Sequence, residues 1–146
     1  MIPEIEITVR FKNQPAELKK FSSSKMAYEI LKEIYEADNF QWHESFIIIC
    51  LNQSNNMIGF YKVSKGGISG TVVDPKIVFT VCLNTPGTTS VILSHNHPSG
   101  NLNPSESDKK MTTKLRDAGR LLDIAVLDHM IITDAGYFSF ADEGIL

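Results

Sequence analysis

The chain has 146 residues, 42% of them hydrophobic and 21% charged, with a formal net charge of −3. That length and apolar share suit a single globular domain with its own core and exclude a low-complexity or disordered chain. The acidic balance argues against a protein that binds nucleic acid mainly by phosphate contact.

In chain order, "IEITVRF" (5–11) alternates apolar and polar residues as a half-buried strand does. "SSSKMAYEILKEIYEA" opens with serines suited to capping a helix. Its Met26, Ala27, Ile30, Leu31, Ile34 and Tyr35 then share one helical face. After "DNFQWHE", the run "SFIIICLN" reads as a buried strand, "QSNN" as a turn, and "MIGFYKVS" as its hairpin partner. "KGGISG" reads as a loop walling a cleft, because it lacks the lysine and spacing of a phosphate loop.

"VVDPKIVFTVCLN" carries a helix start, with Asp74 as N-cap and Pro75 at the first helical position. "TPG" ends that helix, and "TSVILSH" is a second buried strand at the centre of the sheet. Ser105 to about Leu121 reads as a helix with Met111, Leu115, Ala118 and Leu122 as its inner stripe. "IAVLDHMIIT", "DAG" and "YFSF" read as strand, turn and short strand. The mixture predicts an α/β (α+β) fold, a mixed sheet flanked by helices. Residues 1–40 are expected to form an N-terminal strand-helix appendage, and 41–146 the main domain. Cys50 and Cys82 sit in apolar runs without C-x-x-C spacing, as buried free thiols of a reducing cytoplasm do. No stretch has the character of a signal peptide or a membrane span.

The chemistry concentrates in "SHNHPSGNLNPSESD" (94–108). Side chains alternate along an extended chain, so His95 and His97 point the same way and can reach one ion together. Two hydrogen-bonded loop histidines are the competing reading. A catalytic zinc takes three protein ligands, and Asp108 is the available third. "PSESD" equally fits a capping box, with Ser105 as N-cap and the Asp108 carboxylate reaching back to a backbone N–H. The two roles are compatible. His129, beside Asp128, reads as a satisfied core histidine or a support for the site. His43 beside Trp42 reads as surface. Lys109, Lys110, Lys114, Arg116 and Arg120 make the following helix basic, which reads as a solvated face before a nucleic-acid patch.

"HNHPSGNLNPSESD" resembles the H-x-H-x7-S-x2-D core of the JAMM zinc metallohydrolases of JAB/MPN type. "VSKGGISGTVVDPKIVF" and "AGRLLDIAVLDHMIIT" are similar to the bacterial RadC-like branch, once labelled DNA repair proteins. The resemblance covers about residues 42–146 and implies a cytidine-deaminase-like sheet. It implies one zinc held by His95, His97 and Asp108, with Ser105 bonding the developing oxyanion or orienting a ligand. It also calls for an upstream glutamate as general base. Glu44 in "WHESFIIICL" has the expected context, with Glu36 a further upstream candidate. The longer RadC-like proteins carry a helix-hairpin-helix segment, so the chain is expected to be a short form. The implied activity is metallopeptidase cleavage of a peptide, isopeptide or other small amide. The alternative is a non-catalytic or DNA-associated accessory protein. A nucleobase deaminase is excluded, because asparagine stands between the histidines and no P-C-x-x-C follows. The string "HNH" is no evidence for an HNH nuclease, whose name refers to residues spread over a longer motif.

Overall fold

The computed structural model describes residues 1–37, 41–66 and 73–146. Among them it holds α1 (Ser24–Glu36), β1 (Ser45–Leu51), β2 (Met57–Lys65), α2 (Pro75–Asn84), β3 (Ser90–Asn96), α3 (Glu106–Leu121), β4 (Ala125–Ile132) and β5 (Tyr137–Ser139). The five strands form one sheet in the order β2-β1-β3-β4-β5. Only β3 and β4 run parallel, and the other neighbours are antiparallel. The parallel pair is joined by α3, as a parallel crossover requires. Strand β3 is central, and Val91, Ile92 and Leu93 are fully buried, as expected for "SVILSH".

Period-two alternation along β1 sorts the core into two layers. Ile47, Ile49 and Leu51 face α1 and pack with Ala27, Leu31 and Tyr35. Phe46, Ile48 and Cys50 face the other way, onto Val78, Phe79 and Cys82 of α2 and Leu115 of α3. Helices therefore cover both faces, which explains why β1 and β3 read as continuous apolar runs. Cys50 and Cys82 are buried free thiols.

Local chemistry sets the helix starts. The Ser23 hydroxyl accepts from Met26 N–H at 3.1 Å, and the Asp74 carboxylate accepts from Lys76 N–H at 2.9 Å with Pro75 just inside. Each satisfies an orphan donor of the first turn. The β1–β2 turn holds Asn55 at φ 60°, a left-handed conformation that asparagine tolerates.

Three expectations need correction. Residues 5–11 form no strand, and Ile5 and Ile7 lie exposed, because no neighbouring strand completes a ladder. Helix α1 buries Ala27, Leu31 and Tyr35 completely, so it is a layer of the core. The inner face of α3 is Thr112, Leu115 and Gly119, with Met111 and Ala118 at its margins and Leu122 exposed. A stripe judged on hydrophobicity passes over the threonine and glycine that close packing selects. The "GISG" part of the glycine loop lies outside the described residues.

Gly119 shows why. A Cβ added there would lie 2.4 Å from the Ile124 carbonyl oxygen, with Phe79 of α2 beside it. An alanine in a helix interior ordinarily gains roughly 0.5–1 kcal/mol over glycine. Gly119→Ala should instead lose roughly 1–3 kcal/mol, as overpacked cores do. Urea denaturation of the two proteins measures the difference.

Candidate metal centre

The centre lies where β3 ends. His95 pairs with Phe46 of β1 on one side and Ile131 of β4 on the other, and is 1% exposed. His97 follows the last strand residue, but its N–H still donates to the Ile132 carbonyl at 3.1 Å, so the extended path continues. The two rings consequently fall on one face, with their Nε2 atoms 2.9 Å apart. His97 Nδ1 donates to the Asn101 carbonyl at 2.5 Å, which leaves its Nε2 as the lone-pair nitrogen.

Two carboxylates converge on this pair. Asp108 Oδ2 lies 3.4 Å from each Nε2. Glu44 Oε1 lies 3.9 Å from His95 Nε2 and 3.8 Å from His97 Nε2. Asp108 is also the third helical residue of a complete capping box. Its Oδ2 accepts from Ser105 N–H at 2.9 Å, and Ser105 Oγ accepts from Asp108 N–H at 3.0 Å. The oxygen that caps α3 is therefore the oxygen that faces the imidazoles. Glu36, the other upstream candidate, pairs with Lys32 on α1.

The donor set fits a zinc-like cation. Two imidazole nitrogens this close repel unless a proton or a cation lies between them. Ligands roughly 2.0–2.1 Å from a tetrahedral zinc stand about 3.3 Å apart, near the His–Asp distances seen here. Glu44, His95 and His97 also offer ligand atoms within 4.8 Å of one another. Two nitrogens with carboxylate oxygen suit zinc rather than a hard cation that seeks oxygen alone.

The electrostatics agree. Burial pushes the Asp108 carboxyl upward, but the adjoining His95 and His97 rings outweigh it and hold the group well below the ordinary carboxylate range. Burial likewise pulls His97 down, and the Asp108 carboxylate, the Asn101 carbonyl and Glu44 together more than restore it, for a net rise. His129 is driven well below its ordinary value, first by burial and then by repulsion from His95.

Three supporting residues surround the centre. Asn96 points away from its flanking histidines and bridges to β1. Its Oδ1 accepts from Ser45 N–H and its Nδ2 donates to the His43 carbonyl, both at 2.7 Å. It thus brackets Glu44 on both sides. His129 Nε2 lies 2.8 Å from His95 Nδ1, and its Nδ1 lies 2.5 Å from Thr112 Oγ1. Asp128 does not meet the His129 ring. It accepts from the His129 and Ala141 N–H groups and from the Ser139 hydroxyl. Asn96 and Thr112 carry no sequence signal of their own beyond adjacency to the motif. A cavity of about 430 Å³ opens beside His97, lined also by Gln41, Trp42, Pro98 to Gly100 and Asp134.

A model of the RadC-like JAB domain matches residues 21–145. The chain belongs to the RadC-like JAB domain family. It is 50% identical over 128 residues to a UPF0758 protein of Flavobacterium johnsoniae, covering 88% of this chain and 54% of that protein. It is 39% identical over 126 residues to a UPF0758 protein of Porphyromonas gingivalis, covering 86% and 54%. A Methanosarcina mazei UPF0758 protein is 39% identical over 128 residues, covering 88% and 54%. The chain thus spans about half the length of these relatives. The matched region includes α1, and all of the residues that surround the RadC-like centre lie within it. Among the described residues, no helix is long and apolar enough to cross a membrane.

Asn96→Ala should strand the Ser45 N–H and the His43 carbonyl. The buried Ser45 N–H left without a partner costs roughly 1–3 kcal/mol, while the carbonyl of exposed His43 can turn to water. A denaturation midpoint unchanged from the parent protein would show that Asn96 does not brace Glu44.

Proposed function

We propose that the protein is a zinc-dependent metallohydrolase acting on an amide bond, a metallopeptidase of the JAMM type. One observation carries the reading. Two imidazole Nε2 atoms and the Asp108 carboxylate converge at 2.9–3.4 Å, with a second carboxylate, Glu44, standing 3.8–3.9 Å away. His95, His97 and Asp108 are the ligands in this reading. Asp108 is chosen over Glu44 because its oxygen is nearer both rings and is held by the Ser105 N–H.

Zinc held there supplies Lewis-acid polarisation and acidifies a water to a pKa of roughly 7. Glu44, the carboxylate farther from the two rings, is the general base in this reading. It takes the proton of the attacking water and returns it to the leaving nitrogen. Ser105 accepts from Asp108 N–H through its oxygen, so its own hydrogen can be donated to the substrate oxygen as negative charge develops. The cavity beside His97 receives the chain that carries the amide, with exposed Trp42 as an apolar wall. The substrate is a peptide, an isopeptide or another small amide. The buried free thiols suit a reducing compartment, the cytoplasm.

A DNA-associated accessory role draws on the basic residues of α3. Lys109 pairs with Glu106 there, and Arg116 and Arg120 with Asp117, which favours a solvated face over phosphate contact.

Glu44→Gln keeps the side chain's size and removes its basicity. It should retain zinc and lose hydrolysis of a peptide or isopeptide substrate by about 10²–10⁴-fold. The double variant His95→Ala, His97→Ala should lose the zinc itself, read by elemental analysis. Zinc retained by the double variant would sink the metal-centre reading. Zinc lost by Glu44→Gln would move Glu44 into the ligand set.

A further inference from the structure

His95 can bind a metal through Nε2 only if its proton sits on Nδ1. His97 meets the same requirement in one step, because its Nδ1 faces the Asn101 carbonyl, which can only accept. Nδ1 of His95 faces another imidazole, His129 Nε2, at 2.8 Å. A neutral imidazole can donate or accept there, so the pair alone leaves the tautomer undetermined.

The next two contacts resolve it. Thr112 Oγ1 lies 2.7 Å from the Asp108 carbonyl oxygen one turn earlier in α3. Two oxygens at that distance require a proton between them, and the carbonyl has none to give. The single hydroxyl hydrogen of Thr112 is thereby committed to Asp108. Its oxygen can then only accept from His129 Nδ1, 2.5 Å away. With the proton on Nδ1, the lone pair of a neutral His129 lies on Nε2, which accepts from His95 Nδ1–H. The opposite direction would place a proton on His95 Nε2 and close the site.

We propose that His129 and Thr112 are positioning residues, forming a one-way hydrogen-bond chain from His95 through His129 and Thr112 to the Asp108 carbonyl that fixes His95 in the metal-binding tautomer. The proposal rests on the metal-centre reading above and adds residues that touch neither metal nor substrate. The chain ends on the backbone of Asp108, whose carboxylate is the other ligand on α3. One helical turn therefore places a ligand oxygen and sets the tautomer of a ligand nitrogen on β3. The rings have little freedom to tilt. His129 is fully buried and stacks on Phe140 with centroids 4.7 Å apart, while Phe46 meets its edge and lies parallel to His95.

The first test needs no metal. Long-range proton–nitrogen correlation spectra of isotope-labelled, metal-free protein report which nitrogen of each ring bears hydrogen. His95 and His129 should both carry it on Nδ1. A proton on Nε2 of His129 would overturn the proposal outright. The second test measures zinc affinity by competition with a chromogenic chelator. His129→Leu removes the acceptor and should weaken zinc about 10–100-fold, as loss of such partners does. His129→Gln offers a carbonyl oxygen in its place and should recover part of that loss. Thr112→Val should move His129 away from pure Nδ1 protonation, and Thr112→Ser should restore it. Melting of the metal-free variants separates lost stability from a lost tautomer. If His129→Leu fails to fold, the Thr112 pair decides through the spectra alone. Equal zinc affinity in folded His129→Leu, or an unaltered His129 tautomer in Thr112→Val, rejects the chain. A parent protein that binds no zinc but shows both Nδ1 protons would reject the metal reading and leave the chain standing.

Discussion

The centre depends on the register of β1 against β3. Phe46 lies opposite His95, and from that pairing the rest follows. Glu44, two residues before Phe46, arrives beside the imidazoles because the ladder ends there. A slip of one residue would turn every β1 side chain to the other face, moving Ile47 and Ile49 off α1 and Phe46 off α2. The hydrophobic sorting of the core thus enforces the position of the carboxylate. Asn96 adds a polar lock at the open end of the same ladder, where β1 begins.

Helix α3 supplies the second constraint. A helix start must satisfy its first N–H groups, and the capping box of Ser105 and Asp108 does so. The carboxylate cannot wander without uncapping the helix. An aspartate held this way loses little further rotamer freedom on meeting a cation. The loop between His97 and Pro104 is tethered by the same economy, since Nδ1 of His97 holds the Asn101 carbonyl.

Most of the fold was readable because it rests on local rules. The caps at Ser23, Asp74 and Ser105, the β1–β2 hairpin and the buried runs of β1 and β3 each follow from a few adjacent residues. The strand expected at residues 5–11 failed because alternation only offers a half-buried strand, and a ladder needs a neighbour. Gly119 and Thr112 escaped the inner stripe of α3 because their burial answers to Ile124 and His129, neither visible from helical periodicity. In the centre, His95, His97 and Asp108 share a short motif, so their convergence was legible. Glu44 lies some fifty residues upstream and is connected only through strand pairing, so a resemblance was needed to single it out.

The distribution of buried polar side chains carries the last step. Ser94, His95, Asn96, Asp128, His129 and Thr133, at the site end of the central parallel pair and just beyond β4, are all nearly or wholly buried; Ser90, at the far end of β3, is buried too, and its hydroxyl has no hydrogen-bond partner among the described residues. Six polar groups in a sheet centre would be a heavy penalty if unpaired. Here His95, Asn96, Asp128, His129 and Thr133 bond to one another or to backbone, and Ser94 meets the Tyr35 hydroxyl at 2.9 Å. An apolar set of similar volume would satisfy the packing with less demand on geometry. A polar core at this end of the sheet makes physical sense when the geometry itself is the product. The bond between His95 and His129 restrains a ring of the site directly, and the others fix the strand ends from which the imidazoles and Glu44 project, as a site that can hold a cation requires.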